Sequence, residues 1–338
     1  MESKNLTIQD VAKRANVSVA TVSRVINNSS LVREATRSKV LEVIETLGYS
    51  PNFLGRDLRR DQTMRILLLT PSLIWPIMLD LFRGIDDAAQ RHGYSVIAAP
   101  TTNSKKKEQE LIAMLKNRFV DGLIVIGSTL SPQELDDLGK QYSLVQCSEW
   151  KETKYTSIVS IDDKKAGYDA ISYLIKSGHK RIAMIGSKNS GSALLRLQGY
   201  QEAIAKAGLK FDESLVKFGD FTYEDGLCLT KDLLKLEDKP TAIFCINDVV
   251  AVGCVNALKK NGIRVPDEVA VVGFDDTKEA LMSIPEITTI AQPKYELGYR
   301  TFELLINQMN QEGSNYQNIT LEHNLILRGS TVNIDIKE

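Results

Sequence analysis

Residues 7–27 read T-I-Q-D-V-A-K-R-A-N-V-S-V-A-T-V-S-R-V-I-N. Two short helices joined by a tight turn follow from this stretch. Thr7 is a good N-cap, and Val11, Ala12 and Ala15 fall on one face of the helix it opens. Asn16 breaks that helix, because asparagine is one of the few non-glycine residues that tolerate a left-handed turn. Ser18 caps a second helix with Val22, Val25 and Ile26 on its inner face, and small Ala12 sits where the two helices would cross. A third helix is expected over about 34–47, with Val40, Leu41, Ile44 and Leu47 inward and Gly48 ending it.

The second helix leaves Val19, Ala20, Thr21, Ser23, Arg24 and Asn27 facing outward. A helix-turn-helix places the N-terminal part of its second helix in the major groove of DNA. Arginine reads guanine through two hydrogen bonds, and valine and alanine methyls touch the thymine methyl. Serine and threonine hydroxyls and helix-end amides suit phosphate oxygens. Pattern alone also fits an ordinary helical hairpin with a solvated face.

Charge separates this segment from the rest. The whole chain has 338 residues and a formal net charge of −1, but residues 1–60 carry +4 and the remainder −5. A small basic module on an acidic body is the reading. Residues 50–62, S-P-N-F-L-G-R-D-L-R-R-D-Q, form a basic linker or one or two turns of helix. From Met64 onward, short apolar runs alternate with amphipathic helices. RILLLT (65–70), YSVIAAP (94–100), GLIVIG (122–127), LVQC (144–147), RIAMIG (181–186), TAIFCI (241–246) and VAVVGF (269–274) read as buried strands. Helical patterns between them argue for two parallel sheets with right-handed crossovers. The chain is expected to cross between two lobes near residues 160, 290 and 322. No stretch is long enough to span a membrane, and MESKNLTIQD lacks an apolar signal core, so a soluble cytoplasmic protein is expected. Cys147, Cys228, Cys245 and Cys254 form no CxxC pair and read as buried, reduced thiols. His92, His179 and His323 give no metal-ligand spacing.

The motifs T-I-Q-D-V-A, V-S-x-A-T-V-S-R-V-I-N, T-R-x-K-V and G-Y-S-P-N resemble the lac repressor/galactose repressor (LacI/GalR) family of bacterial transcriptional regulators. GIDDAAQRHGYSV (84–96), DGLIV (121–125), SGHKRIAMIG (177–186), LQGYQEAI (197–204), PTAIFCINDVVAVG (240–253), VPDEVAVVGFDD (265–276) and TTIAQP (288–293) extend the resemblance over nearly the whole chain. It implies an all-α helix-turn-helix head (1–49), a hinge helix (50–62) and an α/β core (63–338). The core would have two doubly wound parallel-sheet lobes like type I periplasmic binding proteins. The N-lobe is expected at about 63–160 and 292–322, the C-lobe at about 161–291 and 323–338.

Carried over position by position, the resemblance makes Val19, Ala20 and Arg24 base-reading residues. Thr7, Ser18, Thr21, Ser23, Asn27 and Arg56 become DNA-backbone contacts, and Leu58 a minor-groove wedge that kinks the duplex. Gly55 stands where the family usually has alanine, so the hinge is expected to be less helical off DNA. Effector-binding positions are Trp75, Ser148, Arg196, Phe221, Asn247 and Asp275. Trp75 replaces the usual polar residue of its loop and Ser148 the frequent aspartate, which implies fewer polar anchors and more aromatic surface. A sugar, a nucleoside, or control by a partner protein in place of a small molecule all remain open. The implied partners are a near-palindromic double-stranded operator, a second copy of the chain as a homodimer, and a small effector; no membrane and no cofactor are implied.

An enzyme is the competing reading. The loop G-S-K-N-S-G-S (186–192) lacks the lysine of a phosphate-binding loop, and neither GxGxxG after the first strand nor GxSxG is present. No catalytic or metal-binding residue is expected. A solute-binding protein with no DNA-reading role would fit the core alone, but it leaves the N-terminal 60 residues unexplained.

Overall fold

The structure is a computed structural model and describes residues 6–26, 31–49, 62–310 and 316–332. The chain divides into two units, Met1–Thr63 and Met64–Glu338. In the first, α1 (Ile8–Ala15), α2 (Val19–Ile26) and α3 (Glu34–Leu47) enclose a small core of Val11, Ala12, Ala15, Val22, Val25, Val40 and Tyr49. Local chemistry sets several of the boundaries. The Thr7 side chain accepts from the Asp10 amide while Asp10 accepts from the Thr7 amide, a reciprocal cap on α1. Asn16 takes φ 51° to close α1, and Gly48 takes φ 62° to close α3. Thr21 N–H donates to Ser18 Oγ at 3.1 Å at the start of α2. Leu41 departs from expectation: it is 48% exposed, not inward. It sits one residue, about 100° of helical turn, from buried Val40. A head with so few core residues covers only a narrow stripe of α3.

The second unit contains two six-stranded sheets built on the same plan. Sheet one joins β1 (Arg65–Thr70), β2 (Ser95–Pro100), β3 (Gly122–Val125), β4 (Leu144–Cys147), β5 (Ser157–Ile161) and β11 (Asn318–Leu321), in the order β11-β5-β4-β3-β1-β2. Sheet two joins β6 (Ile182–Gly186), β7 (Val216–Phe218), β8 (Ala242–Cys245), β9 (Ala270–Asp275), β10 (Thr288–Ala291) and β12 (Asn324–Ile326), in the order β12-β10-β9-β8-β6-β7. All pairings are parallel except the edge pair β10–β12, which is antiparallel. The two-sheet α/β fold read from the alternation is present, with this one antiparallel edge. The central strands bury on both faces because helices cover both sides, which is why they read as nearly continuous apolar runs.

The helices are α4 (Ile77–Arg91), α5 (Lys105–Lys116), α6 (Pro132–Gly139), α7 (Asp163–Lys176), α8 (Gly191–Lys206), α9 (Tyr223–Leu233), α10 (Asp248–Lys260), α11 (Lys278–Met282) and α12 (Lys294–Asn310). Three helix pairs pack through mutual glycines, Gly226 and Gly253 among them where α9 meets α10. A Cβ at Gly84 would lie 2.0 Å from Tyr295 O, and one at Gly298 would lie 2.0 Å from Leu81 O, where α4 meets α12. Gly167 and Gly199 do the same for α7 and α8. The chain passes between the sheets after β5, after β10 and after β11. Among the described residues no helix is long and apolar enough to cross a membrane. Cys147, Cys245 and Cys254 are buried, but Cys228 is exposed, against expectation. It lies on the side of α9 away from buried Gly226, Thr230 and Leu233.

Candidate functional site

In the head, Val19, Ala20 and Arg24 are all exposed on α2, as are Thr7 and Ser18 just before their helices; Thr21 and Ser23 are half-buried. Ser18 and Thr21 hydroxyls hydrogen-bond each other at 2.8 Å, and Thr7 Oγ donates to Asp10 at 2.7 Å. The hydroxyls of Thr7, Ser18 and Thr21, three of those expected to contact phosphates, are thus already held in place at helix starts. Asn27, Gly55, Arg56 and Leu58 lie outside the described residues.

The core holds a cavity of about 640 Å³ between the carboxyl ends of the two sets of strands. Open α/β sheets place ligands there. Loops after β1, β3 and β4 line one wall, and loops after β6, β7, β8 and β9 line the other. All six expected effector positions, Trp75, Ser148, Arg196, Phe221, Asn247 and Asp275, line this one cavity. Trp75 and Phe221 face each other across it, ring centroids 6.1 Å apart and tilted 38°. Ser148, Phe221 and Asp275 share an unusual backbone, with φ of 61°, 69° and 98°. Left-handed φ is costly for residues with side chains, and such positions cluster at binding sites.

Several of these side chains are already committed. Arg196 is 5% exposed. Its Nε donates to Asp163 at 2.8 Å, its Nη1 donates to the Ile246 carbonyl at 2.8 Å, and its plane lies 3.4 Å from the Phe274 ring centroid. Asn247 Oδ1 accepts from Val250 N–H at 2.8 Å and so caps α10, while its Nδ2 donates to Phe221 O. Asp275 Oδ1 accepts from Gln292 at 2.7 Å, and Lys294 donates to the carbonyls of Asp275 and Asp276 at 2.6 Å each.

Burial moves the acids. It raises the Asp275 carboxyl above the usual range, opposed by the Arg196 charge. It pushes Asp163 up to about 6, again against Arg196. It pushes Asp248 up to about 7, helped by the Asp275 charge and opposed by the donation from the Thr277 amide.

Further polar residues line the cavity beside the expected ones. The left-handed turn at Ser148 brings the next residue, Glu149, to the cavity, and Asn189, Ser190, Asp220 and Gln292 line it too. Sequence reasoning named none of these as binding residues. The available signal was position: Glu149 follows the end of β4, and Asn189 and Ser190 follow the end of β6.

Comparison with known proteins agrees with this geometry. Residues 63–328 match the family described as periplasmic binding proteins and sugar binding domain of LacI family. Residues 7–52 match bacterial regulatory proteins, lacI family. The transcriptional repressor CytR of Escherichia coli strain K12 is 35% identical over 327 residues, covering 96% of each chain. The lac repressor dimer bound to operator and the anti-inducer ONPF superposes with a TM-score of 0.87 at 28% identity, covering 97% of this chain and 100% of that one. A complex of the transcriptional regulator CelR with cellobiose superposes at 0.74 with 32% identity, covering 96% and 99%. Such relatives are regulators of transcription, not enzymes. The chain belongs to the lacI family of bacterial regulatory proteins and is a transcriptional regulator.

Proposed function

We propose that the protein is a cytoplasmic repressor that binds a near-palindromic operator as a homodimer and is controlled by a small ligand in the core cavity. One observation carries the reading: a helix-turn-helix with Val19, Ala20 and Arg24 exposed on its second helix shares a chain with a roomy polar-and-aromatic cavity. Arg24 supplies the guanine-reading fork, and Val19 and Ala20 supply methyl contacts. Thr7, Ser18, Thr21, Ser23, Asn27 and Arg56 contact phosphates, and Leu58 wedges into the minor groove; the last three residues rest on the family resemblance alone. Two heads in a dimer reach half-sites about one helical turn apart.

The cavity suits a ring-shaped effector with several hydroxyl or amino groups, a sugar or a nucleoside. Trp75 and Phe221 offer flat apolar walls, while Asp275, Asp220 and Asn189 offer polar partners.

Operator selection from a random duplex pool at fixed salt tests the reading. The expected result is an enriched palindrome with a flexible central step, lost or relaxed in Arg24→Ala, with about 1–3 kcal/mol of discrimination removed at the base Arg24 reads. A pool that stays random with wild-type protein, with or without candidate sugars and nucleosides, would refute it.

A further inference from the structure

A side chain of one cavity wall is bonded directly to the other. Glu149 follows β4 of sheet one, and its carboxylate reaches the start of α8, which follows β6 of sheet two. Gly191 N–H donates to Oε1 at 2.6 Å and Ser192 N–H donates to the same oxygen at 3.2 Å. Ser190 Oγ donates to Oε2 at 2.7 Å, and Ser192 Oγ donates to Oε2 as well. Both carboxylate oxygens are engaged, and every one of these four donors belongs to the opposite wall.

The placement is held from both sides. Behind Glu149, Gly127 N–H donates to its carbonyl at 3.0 Å, and the left-handed φ of Ser148 directs the chain to that point. Opposite it, Ser190 Oγ also accepts from the Ala193 amide, so the receiving hydroxyl is fixed by the cap of a 16-residue helix. A carboxylate is favoured at a helix N-terminus by the helix dipole and the free amides. Across the cavity, Trp75 of the first wall meets Phe221 of the second.

We propose that Glu149 is an inter-lobe latch: its carboxylate holds the two walls of the cavity together, and its release precedes entry of any ligand. A charged side chain of one lobe takes up the helix N-terminal donors that the other lobe presents to the cavity. The effector therefore competes with Glu149 or waits for the latch to open. Opening sets its rate of entry, and the balance between latched and open core sets the conformation presented to DNA. This last consequence rests on the repressor reading; the latch itself does not.

The chain carries its own reporter, because its two tryptophans, Trp75 and Trp150, both line the cavity. The experiment compares Glu149→Gln, Ser192→Ala and the double variant with wild type, in the full-length protein without DNA or added ligand. Tryptophan emission, acrylamide quenching and the radius of gyration from small-angle scattering are read. The expected result is red-shifted emission, about twofold stronger quenching and a larger radius in Glu149→Gln, with a smaller change in the same direction for Ser192→Ala. The double variant should match Glu149→Gln alone, because both substitutions break one contact. A shift of the open-to-closed ratio of about tenfold is what losing one charge-assisted hydrogen bond produces. Unchanged emission, quenching and radius, or additive effects in the double variant, would overturn the latch. Ser192→Ala alone carries the test if Glu149→Gln does not fold. Operator affinity separates the two ideas. An opened cavity with unchanged operator affinity would uphold the latch and overturn its regulatory consequence.

Discussion

Arg196 is a sharp point at which to test how the cavity is built. Its guanidinium and the Asp163 carboxylate are 7% and 2% exposed and meet at 2.8 Å. Arg196→Met keeps an unbranched chain over the Phe274 ring but removes the positive charge. Asp163 is then left buried with no cation, which costs about 3–5 kcal/mol. The loss should depend on pH in a definite direction. Asp163 already stands at about 6 because burial outweighs the help from Arg196, and removing Arg196 raises it further. At pH 5 the orphaned carboxyl is protonated and neutral, so the variant loses the hydrogen bonds and ring contact alone. At pH 8 it must either stay charged in the interior or hold a proton against the solvent pH. Each unit of further rise adds about 1.4 kcal/mol at the higher pH. Urea unfolding followed by tryptophan emission reads the core specifically, since both tryptophans lie there. The expected pattern is a large drop in midpoint at pH 8, a smaller one at pH 5, and recovery of most of the loss in the Arg196→Met, Asp163→Asn double variant. If Arg196 served ligand binding alone, Arg196→Met would unfold with the wild-type midpoint at both pH values, and the argument would fail.

Asp248 makes the core titrate by itself. It accepts from the Thr277 amide at 2.6 Å and from the Thr289 hydroxyl at 2.7 Å and faces the Asp275 charge, with burial lifting it from 3.8 to about 7. A carboxyl raised on folding binds its proton more tightly in the native state, so its stabilising effect is complete below about pH 4 and is lost as pH rises through 7. That loss amounts to about 4 kcal/mol. Asp248→Asn should flatten the decline of the urea midpoint between pH 4.5 and 7.5, and parallel curves for variant and wild type would contradict it. Gly298→Ala should destabilise the core by about 3 kcal/mol or more, because the new methyl would meet Leu81 O and Ile85 N on the backbone of α4. A melting temperature within a degree of wild type would show that α4 and α12 separate freely.

The head was legible almost residue by residue because its determinants are local. Thr7, Asn16, Ser18 and Gly48 act within one turn of where they stand, and capping needs no distant partner. Leu41 was misplaced for the opposite reason: whether a helix face is covered depends on how wide the neighbouring helices are. The long buried strands were legible from their apolar runs. β7, β11 and β12 were not, since three or four residues on a partly exposed edge carry no periodicity of their own, and β5 and β10, though buried, are too short and too rich in serine or threonine to stand out. The antiparallel pairing of Asn324–Ile326 with Thr289–Ala291 is set by where the chain returns, which only the tertiary path decides.

The cavity divides along the same line. Trp75, Ser148, Phe221, Asn247 and Asp275 were placed at the cavity by the family resemblance, and all of them line it. What each side chain does there was not written locally. Asn247 spends its oxygen on capping α10, and most of Arg196 is taken up by Asp163, Ile246 and Phe274, so neither is simply a free ligand contact. Glu149 shows the limit most clearly. As a lone acid beside an expected site residue it has no signature, and the serines that receive it lie some forty positions away in a loop noted at first for the lysine it lacks. Only the left-handed turn at Ser148 and the mutual approach of two sheets bring carboxylate and donors together. A family pattern locates the cavity. The contact of Glu149 with Ser190, Gly191 and Ser192 across it is a property of this chain's own pairing, and it has to be read from the packing.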